Sequence, residues 1–151
     1  MNQRFKLAVL GTALPLLAGA LIYVGARSTD LLMFEWMQWA GMSTVALETR
    51  SLIGPALNTA PAWIRYSLPD ALWLLAYLNS VRLIWGSTFS DAARWWTGAG
   101  VALAIGHEAA QGASLIRGTF DPNDLAAYLG AIAVSAAFTH RFRPDTNTNH
   151  P

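Results

Sequence analysis

The chain has 151 residues, a formal net charge of +1 at pH 7, 54% apolar and 13% charged residues, and no cysteine. The charged fraction is about half the ~25% usual for soluble domains, so a chain of single-domain length points to a membrane. A near-neutral charge argues against a nucleic-acid module, and the missing cysteine excludes disulfides, thiolate metal sites and a thiol nucleophile.

Arg4 and Lys6 precede an apolar run over 7–25, roughly the ~20 residues that a helix needs to cross hydrocarbon. Their charge places this end in the cytoplasm. A cleaved signal peptide is the alternative, with small residues near Val24, Gly25 and Ala26 as its cleavage site. Residues 26–68 contain no clear span. Ser28, Thr29 and Asp30 offer capping oxygens. Leu32, Trp36 and Trp39 then repeat at helical spacing, as do Met33 and Met37, opposite Glu35 and Gln38. This pattern predicts an amphipathic helix, either lying in the outer interface or packed against the spans. Gly54-Pro55 and Ala60-Pro61 are expected to break any continuous helix. Trp63 and Tyr66 mark a return to the interface.

Pro69 and Asp70 open a second span over 69–86, with proline suited to a first helical turn and the carboxylate to the positive end of the dipole. Asp70, Trp73 and Tyr77 share one face, while Arg82 is expected to snorkel toward the cytoplasmic surface. A loop with Asp91 and Arg94 leads past Trp95 and Trp96 to a Gly- and Ala-rich third span over 97–116, a composition that permits close helix approach. A fourth span covers 124–140, with Asp121 or Asn123 as its cap. Residues 144–151 read as a disordered polar tail. The expected fold class is therefore all-α: an integral membrane four-helix bundle over 1–143, with an interfacial amphipathic helix in the first outer loop. Both termini lie in the cytoplasm.

Glu108, Gln111, Arg117, Asp121 and Asp124 fall together between the last two spans, on the outer side with Asp70. Glu108 lies twelve residues after Trp96, about 18 Å along a helix. An ionised carboxylate at that depth must be paired, protonated or facing water, and Arg117 is the expected partner. The cluster reads either as a ligand site or as a staple between spans three and four. Glu108 and Asp121 are candidates for general acid–base chemistry. His107 lacks the second histidine four residues on that a helical zinc pair needs, and no metal or cofactor is expected. No nucleophile–base pair stands out around Ser114.

The order Glu108, Gln111 three residues on, Arg117 six beyond, and Asp124 opening the next span resembles the VanZ-like family of small bacterial membrane proteins. That family also carries an aspartate at the start of its second span, where this chain has Asp70. The chain departs from it after Asp124, with Tyr128 and Gly130, and after Asp70, where the family's lysine and histidine are absent. The resemblance implies a multi-span protein of the bacterial cytoplasmic membrane. The expected function is engagement of an envelope lipid headgroup or lipid-linked glycan through Asp70, Glu108, Gln111, Arg117, Asp121 and Asp124. Arg117 would hold an anionic group in its planar fork. The alternatives are an enzyme acting on an envelope lipid or glycan, and a structural subunit that partners another membrane protein or a second copy of itself.

Overall fold

The structure, a computed structural model, describes residues 3–85 and 90–141. The expected tail at 144–151 and part of the loop before the third span lie outside the described residues. The described residues form helices and no strand: α1 (Gln3–Lys6), a π-helical segment (Leu7–Ala13), α2 (Leu14–Ala26), α3 (Leu32–Trp39), α4 (Ser43–Thr59), α5 (Ala62–Tyr66), α6 (Leu68–Trp85), α7 (Asp91–Gly112) and α8 (Pro122–Arg141). Among them, Leu7–Ala26 is the one helical stretch long and apolar enough to cross a membrane by length and composition, with a mean hydropathy of 2.1. Helices α6, α7 and α8 have 18, 22 and 20 residues, interrupted by charged or polar side chains.

Helix α6 is the hub. It packs against α2 and the π segment on one side and against α7 and α8 on the others. The small core lies mainly between α6 and α8, where Ala71, Leu74 and Leu78 meet Tyr128 and Ala131. The seam with the first helix runs antiparallel and follows from one residue. Pro15 has no N–H to give to the carbonyl of Gly11, four residues earlier. Asn79, fully buried, donates from Nδ2 to that carbonyl at 2.7 Å. The approach is close: a Cβ at position 11 would lie 3.2 Å from Asn79 Nδ2, so the side chain would have to yield by a few tenths of an ångström. Asn79 Oδ1 in turn accepts from the buried Ser135 hydroxyl at 2.9 Å. Arg82 completes the chain by donating to the Ser135 hydroxyl at 2.8 Å and to its backbone carbonyl. Arg82 therefore turns inward across α8 instead of snorkelling, since a paired carbonyl and hydroxyl offer its guanidinium acceptors within the fold.

Other elements correct the sequence expectations. Helix α4 continues through Gly54-Pro55 and ends at Ala60-Pro61. Packing of α4 on α2 outweighs the hydrogen bond that Pro55 cannot make, with Gly54 buried near the carbonyl of Gly25. The Ser28 hydroxyl donates to the Asp30 carboxylate at 2.9 Å, and α3 begins without a side-chain cap. No residue of α3 is buried, and Trp36 and Trp39 are exposed, which disfavours packing against the spans for this helix. Helix α7 starts earlier than the expected span because Ser90 accepts the Ala93 N–H at 3.2 Å. It also ends earlier: Ser114 turns to φ 58°, Leu115 N–H reaches the Ala110 carbonyl at 2.8 Å and Ser114 N–H reaches Gln111 at 2.9 Å. That pairing closes a Schellman motif. Of the glycines in α7, Gly98 and Gly106 face open space, and only Gly100 meets another helix.

Asn79→Ala removes a buried donor and a buried acceptor at once. It is expected to lower stability by about 2–3 kcal/mol, the cost of leaving buried polar groups unpaired. A fall in the thermal unfolding midpoint of the purified protein checks this, and an unchanged midpoint contradicts it.

Candidate functional site

One end of α6 opens into a cleft of about 950 Å³ between α7 and the α6/α8 pair. The charged groups gather at its upper end. Asp70 projects from the first turn of α6, and Arg27 from the extended residue that follows α2. The Arg27 guanidinium lies 3.5 Å from Asp70 and donates to the Tyr66 carbonyl at 2.9 Å. It also sits 5.5 Å and 5.1 Å from the ring centres of Tyr23 and Tyr66, within cation–π range. Arg50, reaching over from α4, donates to the carbonyls of Val24 and Arg27 at 2.7 Å each. A cation at the C-terminal carbonyls of α2 suits the negative end of the helix dipole and fixes the backbone from which Arg27 extends.

Glu108 is only 3% exposed. Its Oε2 accepts the backbone N–H of Asp121 in a long contact of 3.4 Å, and Oε1 has no protein partner among the described residues. Asp121 is spent locally: its Oδ1 accepts from both Asn123 nitrogens at 2.9 Å, capping α8 ahead of Pro122. This occupies one oxygen of the carboxylate that the acid–base alternative would pair with Glu108. Asp124, in the first turn of α8, lines the cleft with a buried Oδ1 that has no hydrogen-bond partner among the described residues. Gln111 is held 3.0 Å from His107 and occupies the space beside Gly118, where φ is +140° and a Cβ would fall 2.2 Å from Gln111 Nε2. Glycine is thus required in the turn that brings Asp121 back over Glu108.

Below the polar end the walls are apolar and aromatic. Trp73, Leu74 and Tyr77 line one side, and Trp96, Gly100, Leu103 and Ala104 the other. Tyr77 donates to the Trp96 carbonyl at 2.7 Å, and its ring fills the place that a side chain at position 100 would need.

Of the residues expected at the site, Asp70, Glu108, Gln111, Asp121 and Asp124 line this cleft, as do Trp73 and Tyr77 from the face of Asp70. Arg117 does not: it is exposed, and the expected fork over Glu108 is not formed. The turn at 113–118 carries it outward while Gly118 packs against Gln111. The guanidinium of the site is Arg27, whose position at the end of the first helix, opposite the aspartate opening α6, was the available signal. No set of three or more metal-ligand side chains is grouped among the described residues. Comparison with protein-family models, curated proteins and solved structures found no match.

Arg27→Ala leaves Asp70 partly buried beside Glu108 and Asp124 with no counter-charge. A loss of about 1–2 kcal/mol is expected, below the 3–5 of a fully buried pair because both side chains retain some exposure. Arg117→Ala, at an exposed turn, is expected to stay within about 0.5 kcal/mol of wild type. Parallel thermal melts of the two variants check this, and the reverse ranking contradicts it.

Proposed function

We propose that the chain is a VanZ-like integral membrane protein of four spans, formed by the first helix, α6, α7 and α8. In this reading its cleft takes up an amphiphilic component of the bacterial cell envelope. The head sits among Arg27, Asp70, Glu108 and Asp124, and the chain runs down the groove between α6 and α7. One observation carries the reading: charged groups crowd one end of a cleft whose other lining residues, chiefly Trp73, Leu74 and Tyr77 on α6 and Trp96, Leu103 and Ala104 on α7, are apolar or aromatic. Ligand sites commonly pair a mostly apolar lining with a few placed polar groups.

The surface supports a membrane setting. Leu16, Leu17 and Leu21 on α2, Leu103 on α7 and Leu129 on α8 are all about half exposed or more. Apolar surface of that extent is unusual on a soluble monomer. The first helix is bound into the fold through Asn79, Arg50 and Arg27, which supports a retained span over a cleaved leader. Of the residues carrying the VanZ-like resemblance, Glu108, Gln111, Asp124 and Asp70 are cleft residues, and Arg117 is not. The orientation follows Arg4 and Lys6, which put the N-terminus in the cytoplasm and the charged end of the cleft at the outer face.

Because the chain has no cysteine, introduced cysteines report topology without background. Asp30→Cys is expected to react with a membrane-impermeant maleimide in intact cells, and Ala92→Cys only after lysis. Labelling of both, or of neither, in intact cells contradicts the orientation. For the cleft, an amphiphile retained through purification is expected in native mass spectra of the wild type. It should be lost from Ala99→Trp, which fills the groove. Equal retention in both proteins contradicts the site.

A further inference from the structure

The charge balance of the cleft bears on the chemistry of its ligand. Four carboxylates, those of Asp70, Glu108, Asp121 and Asp124, face it against the guanidinium of Arg27 and the imidazole of His107, whose Nε2 is taken up with Gln111. Arg27 is engaged through Nη2, which gives a hydrogen bond to the Tyr66 carbonyl and lies beside Asp70, and it is flanked by the rings of Tyr23 and Tyr66, while its buried Nε has no hydrogen-bond partner among the described residues. Asp121 is partnered at Oδ1 by Asn123. Two acidic groups remain under-partnered. Glu108 is 3% exposed with one long hydrogen bond, and Asp124 has a buried oxygen with none among the described residues. Buried carboxylates without counter-charge or hydrogen bonds are costly to hold.

An anionic head would add to that repulsion, and the arginine expected to receive it, Arg117, stands outside the cleft. A neutral polyol would give hydrogen bonds and leave the charge in place. A cationic nitrogen would supply both counter-charge and donors.

We infer that the head of the amphiphile carries a positively charged nitrogen, held between Glu108 and Asp124. This rests on the proposal that the cleft binds an amphiphile, and the test separates the two. The full chain, purified in an uncharged detergent, is titrated with dodecylamine, dodecyl phosphate, monolauroyl glycerol and ethylamine. Tryptophan fluorescence is followed, since Trp73 and Trp96 line the cleft.

Saturable binding of dodecylamine is expected, about tenfold or more tighter than the phosphate or the glycerol ester. Glu108→Gln and Asp124→Asn should each weaken it by roughly thirtyfold or more, as for a desolvated charge pair losing one partner. If the phosphate or glycerol ester binds as well as the amine, and Ala99→Trp abolishes that binding, the cationic head is overturned and the amphiphile site stands. If no dodecyl probe binds, both fail. Ethylamine binding as tightly as dodecylamine supports the positive nitrogen and overturns the chain-binding groove. The ranking of probes on the wild-type protein decides the matter even where Glu108→Gln does not fold.

Discussion

The structure depends on the antiparallel seam between the first helix and α6. At one end Pro15 withholds an N–H, and the freed Gly11 carbonyl is taken by Asn79. At the other, Arg27 at the close of α2 meets Asp70 at the opening of α6. Each contact answers a polar group that its own helix cannot satisfy, so the two helices are set in register at both ends. Asn79 extends the lower contact through Ser135 to α8, and Arg82 closes it. This gives one polar line through three helices.

Register along that seam creates the cleft. With α6 held by α2 on one side and α8 on the other, α7 is left with a narrower contact. It touches α6 closely where the Tyr77 ring covers Gly100. The opening faces Glu108, whose depth is set by the helix and whose only side-chain hydrogen bond among the described residues comes from the returning turn at Asp121. A fold built for stability alone would place an apolar side chain there, because replacing buried charge with packed hydrocarbon is often neutral or favourable. The retained carboxylates, aromatic walls and lateral opening form a combination that a ligand with a polar head and an apolar chain would satisfy.

Much of this was legible from residue order. The long apolar stretches and the positions of Pro69, Pro122 and Asp121 define helices and their starts, since capping and proline chemistry act within a few residues. The common face of Asp70, Trp73 and Tyr77 follows from helical periodicity alone. Glu108, Gln111 and Asp124 stand out because charge beside apolar runs is expensive wherever the chain folds. The course of α4 through Pro55 was not legible, because propensity argues for a break and tertiary packing on α2 overrides it.

By itself, then, the amino-acid order determined the all-helical class, the approximate helices and the acidic half of the cleft, all of which arise from local spacing. Only the tertiary structure decided which cation accompanies those acids. Arg117 is near Glu108 in sequence, yet the Ser114 and Gly118 turns direct it outward. Arg27 is distant in sequence and arrives because antiparallel packing brings the end of one helix beside the start of another. Arg82 likewise turns inward because Ser135, 53 residues on, offers it acceptors. Partner choice for a long charged side chain is set by the acceptors that non-local packing places within reach, and residue spacing carries no record of them.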